Sequence, residues 1–407
     1  MEKLIVRGGK QLSGRVRPSG SKNAALPIIF STLLLRGTSV IYNLPSISDV
    51  EVAITILREL GASVTYMRDG VYINTDNVEN RPVREALVSG IRASSYLLGA
   101  LLSRFGSAEI SNFGGCNFEN RPIDMHLYAA KALGAEIDDK RVYTRGLVGA
   151  DIFFDKPSVG ATVNSILLAI GARGKTRIFC YAKEPHVLAL IRFLRSAGAK
   201  IDLFDDRIEI EYRALGSGCT TVISDVIEGA TYLAAFMATS SSASVDGMPD
   251  DETATFEDVF SSAGARFDHS HGSVRAITTP TLPIIVTTSP YPGFPTDLQP
   301  QTAPLMALFS GGEITELVWR LRFGYLKELS RFGLRYRLDG NRAQIFPSEL
   351  HSAEVVAIDL RAGAALLIAA LSADGESVIY SSEVIRRGYA DIVNKLRILG
   401  ADIEQIT

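Results

Sequence analysis

The stretch GGCNFENRP at residues 114–122 sets a thiol, Cys116, behind two glycines and five residues ahead of Arg121, in surroundings too polar for a core. Thiol chemistry is open to a cysteine so placed. Cations recur at a second kind of position, the starts of apolar segments, in Ser21-Lys22-Asn23, Ile91-Arg92-Ala93 and Asp359-Leu360-Arg361. A helix start offers unpaired N–H groups and a positive dipole end, which suit phosphate and carboxylate. A cation there opposes the dipole, so Lys22, Arg92 and Arg361 argue for a bound anion, gripped by arginine forks and a point-charge lysine. The other such starts read Ser158-Val159-Gly160, Ser224-Asp225 and Thr296-Asp297. Ser158, Asp297 and Asp359 fit equally well as plain N-caps. Arg121 and Arg397 lie beside a different set of helices, where a solvated surface role competes. His126 either packs against its own helix or touches a ligand. His269, His271 and His351 read as surface residues, and Cys180 and Cys219 as small, partly buried thiols.

The elements that must position these residues repeat. A Leu-x-x-x-Gly-Ala-like pattern occurs as LRELGASV, AKALGAEI, LRSAGAKI, FSSAGARF, LSRFGLRY and LRILGADI, with glycines at 61, 134, 198, 264, 333 and 400. Each copy reads as an amphipathic helix ended by a left-handed glycine cap and followed at once by a strand. A second helix also recurs six times, in SKNAALPIIFSTLLLRG, IRASSYLLGALLSRFG, SVGATVNSILLAIGARG, SDVIEGATYLAAFMATS, TDLQPQTAPLMALFSGG and DLRAGAALLIAALSADG. These segments are apolar almost all round and rich in small residues, so they are expected to be buried. Short runs such as SVIYNL, GVYINT, RIEIEY and AQIFP read as strands. The natural division is three units plus three, near residue 223, while the repeats leave open where the first ~20 residues belong.

With 407 residues, 46% of them apolar, the chain can fill two or three cores. It carries 42 basic and 45 acidic residues, a formal charge of −3, so no whole-chain field draws it to nucleic acid or membrane. The longest apolar stretch, Ala24 to Leu35, is shorter than the ~20 residues that span a bilayer. The N-terminal segment has no apolar h-region, and both features point to the cytoplasm. Three widely spaced cysteines, without CxxC or Cys/His spacing, argue against a disulfide framework and a zinc site.

RPSGSKNAALP (17–27), GGCNFENRPIDMH (114–126), KPSVGATVN (156–164), AKEP (182–185), PGFPTDLQ (292–299), DLRAGAAL (359–366) and RGYADIVNKLRILGA (387–401) follow one another in unbroken order. Together they resemble the UDP-N-acetylglucosamine 1-carboxyvinyltransferases of the enolpyruvyl transferase family. The resemblance implies an α/β fold of two similar lobes, each an inside-out α/β barrel of three βαβαββ units with buried helices. One lobe would run from 22 to 223 and carry the Cys116 lid loop. The other would combine 1–21 with 224–407 and carry Asp297, Arg361 and Arg397. The implied reaction adds the 3′-hydroxyl of UDP-N-acetylglucosamine to C2 of phosphoenolpyruvate and then expels phosphate, the first committed step of bacterial peptidoglycan synthesis. It implies no metal and no organic cofactor.

Carried over by motif, Cys116 would deliver the proton to C3 and Asp297 would accept the proton of the sugar hydroxyl. Lys22, Asn23 and Arg397 complete the implied catalytic set. Lys22, Asn23, Arg121, Arg322, Arg361 and Arg397 would hold phosphoenolpyruvate and the developing intermediate. Arg92, the run Arg121, Pro122, Ile123, Asp124 and Met125, then Lys156, Ser158, Val159, Gly160, Asp297 and Val318 match positions that contact the nucleotide sugar. The thiol, on a flexible lid that closes over substrate, would be alkylated by the epoxide fosfomycin. Three differences from the family pattern stand out: Asn117 to Asn120 replace small residues in the lid, Arg320 and Leu321 replace Glu-Asn before Arg322, and Arg386 replaces the acid before Arg-Gly-Tyr. They motivate two alternatives, an enolpyruvyl transferase with another nucleotide or sugar acceptor and a weakly active regulatory paralogue. A shikimate-pathway enolpyruvyl transferase would share the fold but lack the Cys116 lid.

Overall fold

The computed structural model describes residues 2–68, 70–109, 123–248, 250–270 and 272–406. Two compact units emerge, one formed by Gly20–Ile223 and the other by Met1–Ser19 with Ser224–Thr407.

In the first unit the helices are α1 (Lys22–Ser31), α2 (Ser48–Glu59), α3 (Glu85–Gly90), α4 (Tyr96–Phe105), α5 (Asp124–Ala132), α6 (Val159–Gly171) and α7 (Pro185–Ser196). A 3₁₀ turn, Arg92–Ser95, leads into α4. Its interior is made of α1, α4 and α6, with α1 and α6 each packed on α4. Every residue of α6 from Ala161 to Ile170 is buried. Small residues allow this approach: a Cβ on Gly99 of α4 would lie 2.8 Å from Asn164 Oδ1 and 3.0 Å from Leu167 Cβ.

The second unit holds α8 (Val226–Ala238), α9 (Asp250–Ser262), α10 (Gln299–Leu308), α11 (Tyr325–Leu329), α12 (Leu360–Ser372) and α13 (Ile392–Ile398). Here α8, α10 and α12 pack on one another, and α12 is buried from Leu360 to Leu371. The six expected apolar helices are therefore the six interior ones.

The sheets that cover them share one plan. In four of six, a parallel pair of strands continues into an antiparallel hairpin, as in the order 284–287, 312–315, 342–346, 335–339. The runs SVIYNL, GVYINT, RIEIEY and AQIFP supply the strands Thr38–Tyr42, Val71–Asn74, Arg207–Glu211 and Arg342–Phe346. Lys3–Arg7 inserts between 376–380 and 402–406, antiparallel to both, which ties the first residues to the C-terminal sheet. No strand joins one sheet to another among the described residues, so each unit is three separate sheets around three helices rather than a closed barrel.

Each outer helix, or the 3₁₀ turn that prolongs it, ends as its sequence requires. Gly61, Gly134, Gly198, Gly264, Gly333 and Gly400 all have φ between +90° and +105°, where a side chain is strained and glycine is not.

Candidate active site

Within the second unit, strands 284–287 and 312–315 run parallel, and the segments leaving their ends carry Thr288, Thr296, Asp297, Glu316 and Arg322. Asp297 precedes α10 but does not cap it, since the N-cap position is Leu298. Its carboxylate joins two arginines. Arg322 Nη1 donates to Oδ1 at 2.7 Å, while Arg361 donates to Oδ2 from Nη2 at 3.0 Å and Nε at 3.2 Å.

Arg361 is the second residue of α12 and only 1% exposed. Asp359 caps that helix by accepting from the N–H groups of Arg361 and Ala362 at 2.8 and 2.9 Å. The guanidinium carbon lies 5.1 Å from the centre of the Tyr389 ring, within cation–π range. Tyr389 is itself fixed: its hydroxyl accepts from Gln301 Nε2 at 3.0 Å and shares a hydrogen with Thr231 at 3.0 Å. Arg361 Nη1 is buried and has no hydrogen-bond partner among the described residues. Such a group is costly unless something polar meets it, and the side chain facing it here is that of Tyr389.

In the first unit, Lys22 opens α1 and its Nζ donates to Asp49 Oδ2 at 3.3 Å, both side chains being largely buried. Asn23 follows, half-buried. Arg92 opens the turn into α4, and burial lowers its pKa. Ser158 caps α6, accepting from the Ala161 N–H at 3.4 Å, with Val159 and Gly160 forming the first turn. Ile123 and Met125 are half-buried at the start of α5, whereas Asp124 and Lys156 are exposed. Val318, half-buried, follows Glu316 in the second unit, and Arg320 and Leu321 are exposed.

His126 packs inside its unit. It is 5% exposed, its Nδ1 lies 2.8 Å from Asn164 Nδ2, and a Cβ on Gly160 would come within 3.0 Å of its Nε2. Asn164 Oδ1 accepts the Gly99 N–H, so the amide nitrogen faces the ring; Nδ1 is then the acceptor and the proton sits on Nε2. Burial, helped by the nearby Arg92 charge and opposed by Asp124, lowers its pKa to about 4.

Several expectations need correction. Arg397 is not brought to the Asp297 cluster: it is exposed on α13, donating from Nε to the Ile403 carbonyl at 2.6 Å and from Nη1 to Asn394 Oδ1 at 3.3 Å. Cys180 and Cys219 are exposed rather than partly buried, the first just past the strand Lys175–Phe179 and the second opening the strand Cys219–Thr221. Of the readings left open for Asp297, the cap is not the one seen, since its carboxylate binds Arg322 and Arg361. His269 and His351 are exposed as expected, the former paired with Glu257 at 2.6 Å. Cys116, Arg121, Pro122 and His271 lie outside the described residues.

Sequence reasoning missed the Arg-Gly-Tyr step. A Cβ on Gly388 would meet Leu360 Cδ1 at 2.6 Å and Arg361 Nη1 at 3.8 Å. The half-buried cation of that motif next to α12 is therefore Arg387. The signal was present, a glycine between a cation and an aromatic, but the ten residues to Arg397 cross a helix that carries the later arginine away. Among the described residues, no group of three or more His, Cys, Asp or Glu could hold a metal, and no helix is long and apolar enough to cross a membrane.

The family described as EPSP synthase (3-phosphoshikimate 1-carboxyvinyltransferase) matches residues 6–396. The chain belongs to this family. It is accordingly an enzyme of the carboxyvinyl transferase kind. It is 39% identical over 414 residues to the UDP-N-acetylglucosamine 1-carboxyvinyltransferase of Halothermothrix orenii, covering 100% of both chains. It is also 39% identical to the enzyme of that name from Chlorobium limicola, over 99% of this chain and 98% of the relative. Among solved structures, the enolpyruvyl transferase NikO from Streptomyces tendae superposes with a TM-score of 0.90 at 28% identity, covering 100% of this chain and 99% of that one. An EPSP synthase from Acinetobacter baumannii, 15% identical with a TM-score of 0.71 over 100% of both chains, shares the two-lobe α/β fold.

Proposed function

We propose that this transferase moves the enolpyruvyl group of phosphoenolpyruvate to the 3′-hydroxyl of UDP-N-acetylglucosamine with release of phosphate, the first committed step of peptidoglycan synthesis, in the cytoplasm. The observation that carries this reading is Asp297, held by two buried arginines at the start of a buried helix, in a chain 39% identical end to end to enzymes named for that reaction.

The chemistry follows from the charges. With both carboxylate oxygens occupied by arginine N–H groups, Asp297 is engaged as an acceptor and poorly placed to take a proton. Phosphoenolpyruvate brings its own carboxylate and phosphate, which compete for Arg361 and Arg322 and release Asp297 towards the sugar hydroxyl. As the 3′-oxygen bonds to C2, its proton goes to Asp297 and C3 receives one from the Cys116 thiol. A C3 proton then passes to the Cys116 thiolate and restores the double bond as the C2–O bond to phosphate breaks, the departing phosphate taking the proton held on Asp297. Lys22, Asn23 and Arg121 would hold the phosphate and the intermediate, with Arg387 in the place first given to Arg397. Arg92, residues 121–125, Lys156, Ser158 to Gly160 and Val318 would receive the nucleotide sugar, the N–H groups at the start of α6 facing its diphosphate.

A second reading, transfer to another nucleotide or sugar acceptor, is favoured by the likeness to NikO and by Leu321, 69% exposed where the family pattern has a polar residue. Phosphate release from phosphoenolpyruvate, measured with UDP-N-acetylglucosamine and with a panel of other uridine nucleotides, separates the two. Release that depends on UDP-N-acetylglucosamine is expected; release only with another acceptor overturns the first reading. Asp297→Ala is expected to slow turnover by about 10²–10⁴-fold while sugar-nucleotide binding persists. Cys116→Asp is expected to stay active and escape fosfomycin, and sensitivity of that variant to the drug would rule out the thiol as its target.

A further inference from the structure

Glu316 is a fully buried carboxylate that no role above explains. It follows strand Gly312–Thr315, and both of its oxygens are occupied. Oε1 accepts from Thr288 Oγ1 at 2.6 Å, from the Val318 N–H at 2.8 Å and from the Trp319 N–H at 2.9 Å. Oε2 accepts from Thr296 Oγ1 at 2.8 Å. Thr296 Oγ1 in turn accepts from Arg322 Nη1 at 3.2 Å, the same nitrogen that donates to Asp297. Thr288 Oγ1 accepts from the Leu317 N–H at 2.9 Å, so the turn 317–319 is gripped at three successive amides.

Burying a carboxylate is expensive, and an apolar residue of similar size would fill the same volume without that cost. What an apolar residue cannot do is bind donors from two segments at once. Here one segment carries Val318 and the other carries Asp297; the parallel strands they leave are paired as far as the Thr288 N–H on the Thr315 carbonyl, and beyond that no backbone hydrogen bond joins 289–297 to 316–319 among the described residues.

We infer that Glu316 is a positioning residue whose carboxylate locks the 317–319 turn to the Thr296–Asp297 segment, so that the backbone carrying Asp297 and Val318 stays in place while the Asp297 carboxylate exchanges its arginine partners. This rests on the enolpyruvyl transfer reading, because it is Asp297 and Val318 that give the lock its purpose.

The chain's only tryptophan, Trp319, lies on the gripped turn and reports on it without turnover. The test compares Glu316→Ala, Glu316→Gln, Thr296→Val and, as a core control in the same unit, Phe256→Leu. Each is assayed for phosphate release from phosphoenolpyruvate with UDP-N-acetylglucosamine, for melting temperature, and for acrylamide quenching of Trp319. In Glu316→Ala the turn loses its acceptor, so kcat should fall about 100-fold, the loss typical of a roughly 1 Å misplacement, with stronger quenching. Glu316→Gln should recover most of this, its amide oxygen serving the three donors at Oε1 and its NH₂ donating to Thr296. Thr296→Val should lower kcat while leaving quenching unchanged, since it cuts only the bridge towards Asp297. Phe256→Leu should lower the melting temperature and leave kcat alone.

Wild-type kcat and quenching in folded Glu316→Ala would overturn the proposal, as would an equal loss of kcat in Phe256→Leu at matched melting temperature. If the wild-type enzyme releases no phosphate with any acceptor, the functional reading fails. The quenching of Glu316→Ala and Glu316→Gln still decides whether Glu316 holds the turn.

Discussion

Acid should destabilise the first unit through His126, by an amount the structure allows to be worked out. In the unfolded chain the imidazole has its ordinary pKa of 6.5, whereas burial against Asn164 and Gly160 lowers it to about 4 in the folded unit. Between these values the unfolded state binds more protons, so stability is lost as pH falls from about 6.5 towards 4. Each unit of separation corresponds to about 1.36 kcal/mol, which gives a ceiling of about 3 kcal/mol once both states are protonated. From pH 7 to pH 5 the same relation gives about 2 kcal/mol, a factor of about 20 in the opening equilibrium. His126→Asn should remove this dependence while keeping the contact, because an asparagine carbonyl can accept from Asn164 where Nδ1 does. The assay is amide hydrogen exchange of α6, corrected for the intrinsic effect of pH on exchange. Between pH 7 and 5, protection should fall about 20-fold more in the wild type than in His126→Asn. Equal pH dependence in the two proteins would refute the reasoning, and a steeper fall in the variant would mean that the imidazole is charged when folded.

Gly198→Ala should cost about 1–2 kcal/mol in urea unfolding from backbone strain alone, since φ is +101° and nothing lies within 4 Å of the added Cβ. Gly333→Ala, whose Cβ would come 2.6 Å from His351 Cε1, should cost more, and equal midpoints for the two would remove sterics from the account. Asp359→Ala removes both cap bonds to α12 and should lower stability by about 1–2 kcal/mol. It should also raise the KM for phosphoenolpyruvate by loosening Arg361; an unchanged KM at reduced stability would show that Arg361 is seated by Asp297 and Tyr389 alone.

Much of this architecture was legible because it rests on local rules. A glycine forced to positive φ after a helix leaves the same mark six times, and a helix apolar on all sides has nowhere to go but the interior. The candidate site was legible only where those rules placed a residue, as with Lys22, Arg92 and Arg361 at the starts of buried helices. Asp297 was found, but its two arginine partners come from 25 and 64 residues further along the chain, a distance that periodicity does not report. Glu316 was invisible for the same reason: in ITELVW it reads as a solvated acid at a strand end, and only folding brings Thr288, Thr296 and two backbone amides to it. Arg397 is a different case. It shares a motif with Arg387, but a helical turn and a carbonyl acceptor at Ile403 settle its direction, and neither is written in the motif.

The six buried helices also suggest why anion chemistry settled here. A helix wrapped on all sides by apolar packing can admit a charge only at its ends, and at its N-terminus the dipole favours an anion. A cation placed there is unfavourable by itself and must be matched, which Asp49 does for Lys22 and Asp297 does for Arg361. On the proposed function, each pair is an anion site already filled by a side chain. A substrate carrying carboxylate and phosphate need not create such sites, only displace the carboxylates that hold them. The same displacement that binds the substrate would leave Asp297 able to accept a proton, so binding and activation of the base become one event rather than two.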